Sequence, residues 1–224
     1  MSVLSQNKRL IQVDTPVGKD AFTVSELIGD EYISDLFRYT LELFSDNHDI
    51  NQKDIVGKDI TVSILADGET TTRYINGYVN HLAMLDVNDE GLRRYRLEMV
   101  PGLWFTTLGS KNRIFHKKNV KDIVSEVLGE YSKVVTHQFK PTGSYLVREY
   151  CVQFDETDFD FISRLLAEEG ISYYFTHDDG KHELVLADDM QDYFDAASEK
   201  IEYDGGGTQP TKHTIHSWQR SFNY

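Results

Sequence analysis

The chain has 224 residues, 40% hydrophobic and 27% charged, and a formal net charge of −14. This acidic balance argues against a nucleic-acid binder, because such proteins carry an excess of Lys and Arg. No run approaches the roughly 20 apolar residues that cross a bilayer, and we expect no cleavable signal peptide. Cys151 is the only cysteine, which excludes an internal disulfide and is typical of a reducing compartment.

The first hundred residues show the period-two alternation of antiparallel strands. Apolar and polar residues alternate over 37–43 and again over 94–99. Asp67-Gly68 predicts a hairpin turn, and a short helical turn is expected between Ile50 and Val56. Alternation of this kind gives one wet and one buried face, which favours a small barrel or sandwich.

The middle of the chain changes to a mixed pattern. Asn119 is placed to cap a helix whose apolar stripe lies within 120–128. The polar, proline-containing stretch His137 to Ser144 is expected to be a loop. A hairpin is predicted over Ile171–Ala187, with its turn at Asp178–Gly180.

The segment 148–175 combines the strongest local signals. Tyr150, Val152 and Phe154 alternate with more polar residues, as in a strand with two distinct faces. Thr157 then stands at an N-cap position, and Gly170 stands where a left-handed C-cap is needed. The sequence therefore predicts strand, capped helix, glycine stop and second strand.

These elements predict an α+β chain that is mainly antiparallel β. We expect a small β-barrel over 1–104, an α+β subdomain over 105–200 and the beginning of a second, truncated β-barrel over 201–224. Asp204–Gly207 is expected to be a flexible joint before that last stretch.

Several motifs are shared, in order, with one known family. Tyr-Cys-Val-Gln-Phe at 150–154, followed by Glu-Thr-Asp-Phe-Asp-Phe and Arg-Leu-Leu-Ala-Glu-Glu-Gly-Ile, resembles the signature of VgrG proteins. Four further blocks resemble the same family: Ile55–Lys58, Asn76–Val79, 94–104 and 112–128. One departure is Gly102, where the family often has Trp.

The resemblance implies a structural role. VgrG proteins form the trimeric spike of the bacterial type VI secretion system and are similar in architecture to phage baseplate hubs. The resemblance implies that the full-length protein is a homotrimer, which docks the hexameric Hcp tube on one face and carries the needle, tip and effector proteins on the other. It also implies assembly in the cytoplasm and translocation out of the cell without a signal peptide. We expect the chain to be an N-terminal hub fragment or a naturally short relative.

Two alternatives stay open at this point. A phage-like tail baseplate hub uses the same fold, and the sequence does not separate it from a secretion spike. A hydrolase or a sugar-binding β domain is an alternative from another class, since 12% of the residues are aromatic. That alternative requires a concave site with at least two titratable groups, and we expect none.

The side chains that carry chemistry fit structural roles better than catalytic or metal-binding ones. His177, Asp178, Asp179 and His182 surround one turn, and a hydrated hairpin tip is preferred to a metal site. On a strand, His213 and His216 point in opposite directions and do not share a ligand.

The thiol and the carboxylates lead to the same conclusion. Cys151 lies within a strand and is expected to be a packed thiol. The carboxylates of 155–160 are expected to fan outward and to stabilise a helix dipole. Glu168 and Glu169 lie at the unfavourable end of that helix, where Arg164 is a possible partner of Glu168. We therefore expect no enzyme and no catalytic, cofactor-binding or metal-binding residues.

Overall fold

The computed structural model describes residues 5–7, 9–66, 71–140, 143–189, 191, 193, 202–203 and 214–215. The chain divides into two compact units, Met1–Asp189 and Met190–Tyr224. Within the described residues, neither helix combines the length and the hydropathy needed to cross a membrane. The predicted turn at Asp67-Gly68, the joint at 204–207 and both His213 and His216 lie outside the described residues.

A six-stranded antiparallel sheet occupies the N-terminal half and curls into a half-barrel. Its strands are β1 Ile11–Asp14, β2 Thr23–Asp30, β3 Arg38–Ser45, β4 Asp59–Ala66, β5 Thr71–Val87 and β6 Arg93–Val100. Their spatial order is β1-β4-β5-β6-β3-β2. The long strand β5 shifts register against β6 at Val79/His81 and at Met84/Val87. Such bulges increase local bend and twist, which lets the sheet curl.

The concave side of this sheet holds the first hydrophobic core. Leu41 pairs with Leu97 and Leu43 pairs with Tyr95, and all four side chains are fully buried. A single 3-10 turn, Gln52–Asp54, follows β3 and ends before Gly57, whose φ is +79°. The alternation in the sequence therefore predicted both the strands and the buried face correctly.

A second layer follows the sheet after a 3-10 helix at Gly102–Thr107. It contains two helices and five strands: β7 Ser110–Lys118, α1 Val120–Gly129, β8 His137–Phe139, β9 Arg148–Thr157, α2 Asp158–Glu168, β10 Ser172–Asp178 and β11 Lys181–Ala187. Strands β7 and β9 form an antiparallel two-stranded sheet, which we call the ribbon. The predicted hairpin is β10 with β11.

Both helices begin and end as their sequences predict. The Asn119 side chain accepts a hydrogen bond from the Asp122 N–H at 2.9 Å, and Thr157 accepts one from the Asp160 N–H at 3.0 Å. Gly170 has φ +70°, and the Ile171 N–H donates to the Leu166 carbonyl at 2.9 Å to close the end of α2. The apolar stripes of α1 and α2 form the second hydrophobic core together with the inner face of the ribbon.

The predicted loop at His137 to Ser144 is partly wrong. Residues His137–Phe139 form β8, which pairs in parallel with Leu184–Leu186 of β11. This pairing joins segments 47 positions apart, so no local pattern announces a strand of three residues. In the second unit, Glu202–Tyr203 pairs in parallel with Thr214–Ile215.

Leu165→Ala should lower the free energy of unfolding by about 2–5 kcal/mol, because Leu165 is fully buried and its truncation leaves a cavity. Leu146→Ala is the matched control. It makes the same chemical change at an 83% exposed side chain and should cost less than about 0.5 kcal/mol. Urea unfolding measures both variants, and equal losses would contradict the assignment of α2 to the core.

Candidate functional site: a buried junction and an exposed ribbon

The two hairpin histidines lie in the interior, so the expectation of a hydrated tip is wrong for them. His177 on β10 and His182 on β11 face each other across the hairpin, and both side chains are buried. They pack against Phe37, which brings the hairpin onto the curled sheet. The turn itself is exposed, and there Lys181 and Asp178 form an ion pair at 3.2 Å.

Hydrogen bonds fix the tautomer of His182 and join three parts of the fold. Its Nε2 accepts from the Gly102 N–H at 2.9 Å, so the ring hydrogen lies on Nδ1, which donates to the Asn76 side-chain oxygen at 2.7 Å. The Asn76 amide nitrogen donates to Thr61 at 3.0 Å, and its backbone N–H donates to Nδ1 of His177 at 3.2 Å. We call these residues the junction.

Burial keeps both junction histidines neutral. It lowers the pKa of His182 to about 4, and the neighbouring His177 adds to that effect. Burial also lowers the pKa of His177, although the nearby Glu31 carboxylate opposes the shift. A neutral imidazole with both nitrogens in use, as in His182, serves as a connector and has no free lone pair for proton transfer or metal binding.

Glycine is required at position 102 of the junction, because there is no space for a side chain. A Cβ atom built there would lie 1.8 Å from the carbonyl oxygen of Val134 and 3.4 Å from the ring of Tyr78. Gly102, where the sequence departs from the family pattern, therefore allows the backbone to pack closely and to donate the hydrogen bond to His182.

The expectation that the carboxylates at the start of α2 fan outward is wrong for Asp158. Its side chain is fully buried and accepts hydrogen bonds from Gln153 at 2.8 Å and from Tyr131 at 2.7 Å. Arg113 is bonded to it as well, and Lys111 lies 3.0 Å away. We call this group the Asp158 cluster.

The Asp158 cluster keeps its carboxylate charged. Burial alone would raise the pKa of Asp158, but the hydrogen bonds from Gln153, Tyr131 and the two cations outweigh it and lower the pKa. The buried charge is therefore compensated, as a stable buried ion pair requires. Because its partners lie on β7, on β9 and beyond α1, the cluster fastens the ribbon to the helices.

The far end of α2 is held by arginines. Arg148 donates to Glu168 at 2.7 Å and to Glu169 at 2.6 Å, and its proximity lowers the pKa of Glu168. Arg164 also bonds Glu168 at 3.2 Å, which confirms the suggested pair. These contacts offset the unfavourable position of two carboxylates at a helix C-terminus.

The remaining groups offer little catalytic chemistry. Cys151 is a buried thiol, as expected, and burial raises its pKa, which disfavours the nucleophilic thiolate. No group of three or more His, Cys, Asp and Glu side chains within the described residues is arranged to hold a metal ion.

Several surface cavities contradict the expectation that no concave site gathers titratable groups. One has a volume of about 330 Å³ and is lined by Asp30, Asp35, Tyr32 and Trp104, among others. A second of the same volume contains Asp49 and Asp54. Asp35 accepts a hydrogen bond from the N–H of its own neighbour Leu36 at 2.7 Å and is exposed.

The outer face of the ribbon is apolar and open to solvent. Ile114, Tyr150, Val152 and Phe154 point outward, whereas Cys151 and the other inward residues pack on the helices. The alternation in the sequence predicts two distinct faces, but it does not reveal that the more apolar one is exposed.

Comparisons with known proteins agree on one family. The family described as phage tail baseplate hub (GPD) matches residues 30–224. The type VI secretion system spike protein VgrG1b of Pseudomonas aeruginosa is 36% identical over 83% of this chain and 25% of its own length. VgrG1c of the same organism is 34% identical over the same shares. This chain thus spans about a quarter of the length of these relatives.

A solved structure supports the fold. The E. coli c3393 protein matches with a TM-score of 0.71 at 23% identity, over 82% of this chain and 51% of that one. It is described as a component of the type VI secretion system with structural similarity to the T4 bacteriophage tail proteins gp27 and gp5.

The junction makes stability depend on pH. An unfolded histidine titrates near 6.5, whereas folding lowers the pKa of His182 to about 4. The unfolded state therefore binds the proton first, and the stabilisation present above pH 6.5 is lost as the pH falls toward 4. The loss from His182 should reach about 3 kcal/mol.

Urea unfolding at a series of pH values measures this loss. His182→Gln should be less stable at pH 7 and show a shallower decline between pH 6.5 and 4. His81→Gln, at an exposed histidine, should keep the wild-type slope. An unchanged slope in His182→Gln would contradict the assignment.

Proposed function

Because the chain belongs to the phage tail baseplate hub family, we propose that it is the hub portion of a VgrG-type spike of a type VI secretion system. The observation that carries this proposal is the similarity to VgrG spike proteins, at 34–36% identity over more than four fifths of the chain. In this role three copies form an adaptor between the Hcp tube and a needle with its tip and effector proteins.

The physical argument for such an adaptor is symmetry. A trimer whose chains each supply two similar barrels presents six related surfaces and can meet a hexameric ring without a mismatched edge. The curled sheet described above supplies one barrel-like element per chain. The second barrel expected from residue 201 onward, and the domain boundaries at 104 and 200, belong to this proposal.

A hub needs rigidity, and the interior supplies it. Asp158 and His182 are buried polar groups whose hydrogen bonds are satisfied by partners far apart in the chain. Buried polar groups of this kind favour one arrangement of the elements, since any shift leaves a polar atom unpaired. A non-enzymatic role agrees with a connector histidine, a compensated carboxylate and a protonated thiol.

The cellular route follows from the same role. We propose that the chain assembles in the cytoplasm and then leaves the cell with the spike, without a signal peptide. The matched relatives are type VI secretion spike proteins, which supports this route.

A phage-like tail hub is the second candidate, and the family match itself favours it. Gene neighbours distinguish the two, because sheath and Hcp genes without capsid genes favour secretion. The hydrolase or sugar-binding alternative has one observation in its favour, the cavity that contains Tyr32 and Trp104. Catalysis by two carboxylates requires them to converge on one substrate from fixed positions, and Asp35 is exposed on a loop.

Binding to the tube ring tests the proposed function. The chain is mixed with the Hcp hexamer encoded in the same genome, and native mass spectrometry measures the complexes. We expect a complex of the chain with the Hcp hexamer, because the curled sheet is the barrel-like element that meets the ring in the symmetry argument. A phage tail-tube protein serves as the control. Absence of any complex with Hcp would contradict the proposal, and preference for the phage protein would favour the tail hub.

A further inference from the structure

The two hydrophobic cores are separate clusters that meet at the β10–β11 hairpin. One core fills the curled sheet, and the other lies between the helices and the ribbon. Phe175 on β10 packs against both cores, and its ring lies 5.1 Å from that of Phe37 beside the sheet. The hairpin is therefore an element through which the two layers hold each other, and the junction lies on its side that faces the sheet.

Each junction histidine accepts a hydrogen bond from a backbone N–H outside the hairpin. Nδ1 of His177 accepts from Asn76 on β5 at 3.2 Å, and Nε2 of His182 accepts from Gly102 at 2.9 Å. Asn76 serves both rings, since its side-chain oxygen accepts from His182 at 2.7 Å. A protonated imidazole has no lone pair, because both of its nitrogens carry hydrogen. Protonation of either ring therefore sets an N–H against an N–H and removes the bond.

The Glu31 carboxylate offers a protonated His177 an alternative partner. Its Oε1 lies 4.0 Å from the buried Nε2 of His177, which has no hydrogen-bond partner among the described residues. The same oxygen bonds Arg73 at 3.1 Å and the Tyr39 hydroxyl, so Arg73 opposes a positive charge on the ring and Glu31 favours it. Because the two ring nitrogens point in nearly opposite directions, a charged His177 that approaches Glu31 leaves Asn76.

The groups that face His182 leave a charge on its ring uncompensated. The rings of Tyr78 and His177 lie 5.9 and 6.2 Å from its own. Three charged residues line a small cavity beside it: Asp178, Lys181 and Glu183. The first two neutralise each other in their ion pair, and the third acts on His137. A proton on His182 is thus opposed by burial and by any charge on His177.

We propose that the β10–β11 hairpin is a pH-sensitive switch, which mild acid releases from the curled sheet at the junction while both hydrophobic cores stay folded. The closed hairpin holds both rings neutral, whereas the rings of an opened hairpin are hydrated and bind protons near pH 6.5. Closure is therefore favoured above pH 6.5 and is lost as the pH falls toward the pKa of about 4 that burial gives His182. The inference goes beyond the proposed function and holds for a secretion spike and for a tail hub alike.

Backbone hydrogen bonds hold the base of the hairpin at any pH. The Ser34 N–H donates to the Tyr173 carbonyl at 2.7 Å, and the Tyr173 N–H donates to the Ser34 hydroxyl at 3.3 Å. On the other strand, the Leu184 N–H donates to the Thr136 carbonyl at 2.9 Å. The pKa of Asp158 lies below its ordinary value, so that carboxylate stays charged at pH 5 and its cluster keeps the second layer together. The base is therefore the hinge, and the half that carries the two histidines moves.

Amide hydrogen exchange measured by NMR tests the proposal, because the two backbone N–H groups that bond the histidines report on the junction. Exchange of Asn76 and Gly102 is measured at pH 7 and pH 5, and protection is the intrinsic rate at each pH divided by the observed rate. The references are Leu184 on β11 and Val79 on β5, whose N–H donates to the Lys58 carbonyl at 2.9 Å.

We expect the protection of Asn76 and Gly102 to fall about tenfold or more from pH 7 to pH 5, since the opened rings take up protons over this range. At pH 5 both should also lie about tenfold or more below the two references, which exchange only when the layers themselves unfold.

A variant without the two titrating rings supplies the second measurement. His177→Gln combined with His182→Gln keeps a hydrogen-bond acceptor at each position, but neither amide binds a proton in this range. The protection of Asn76 and Gly102 in this variant should change less than about threefold between pH 7 and pH 5. His81→Gln, at an exposed histidine, should keep the full wild-type fall. If the double variant does not fold, the wild-type comparison decides by itself.

Three results would overturn the inference. Protection of Asn76 and Gly102 equal to that of the references at pH 5 would mean that the hairpin opens only with complete unfolding. A wild-type fall smaller than about threefold, or a tenfold fall that persists in the double variant, would show that the histidines do not control the opening. None of these results involves the Hcp ring, so the proposed function and this switch fail separately.

Discussion

The buried carboxylate of Asp158 is the interaction on which the arrangement of the second layer depends. It lies at the first residue of α2 and is bonded to Gln153 on β9, to Arg113 on β7 and to Tyr131 beyond α1. A buried charge without partners is very costly, so the ribbon and the helices must hold one relative position to satisfy it. Because the ribbon residues that bond Asp158 must point inward, the apolar residues on the opposite face of the ribbon point outward.

The junction holds the two layers together, as the Asp158 cluster holds the ribbon and the helices together within the second layer. His182 connects the hairpin to Asn76 on the curled sheet and to Gly102 at the start of the second layer. In both clusters the polar side chains hold elements of the fold together, and His182 uses both ring nitrogens to do so. Such an interior suits a part whose shape and contacts with other chains are its function, as proposed for a spike hub.

The sequence predicted the elements well where the signal was local. Thr157, Asn119 and Gly170 mark helix ends through contacts within a few residues, and alternation identified the buried face of β3 and β6. Prediction from the sequence failed where the burial of a side chain depends on partners that are distant in the chain. Asp158 turns inward because of Arg113, 45 positions earlier, and His182 is buried by elements 80 and more positions away. The pairing of strand β8 and the exposure of the apolar side of the ribbon also depend on segments distant in the sequence, so local patterns did not predict them.

Amide hydrogen exchange of Asp158→Asn beside wild type tests most directly whether this carboxylate fixes the ribbon. Asn keeps the shape of the side chain but leaves Arg113 and Lys111 without their buried counter-charge. The account predicts faster exchange in the ribbon, 110–118 and 148–157, while the six-stranded sheet keeps its wild-type protection. Unchanged exchange in the ribbon, or an equal loss of protection in the sheet, would contradict it.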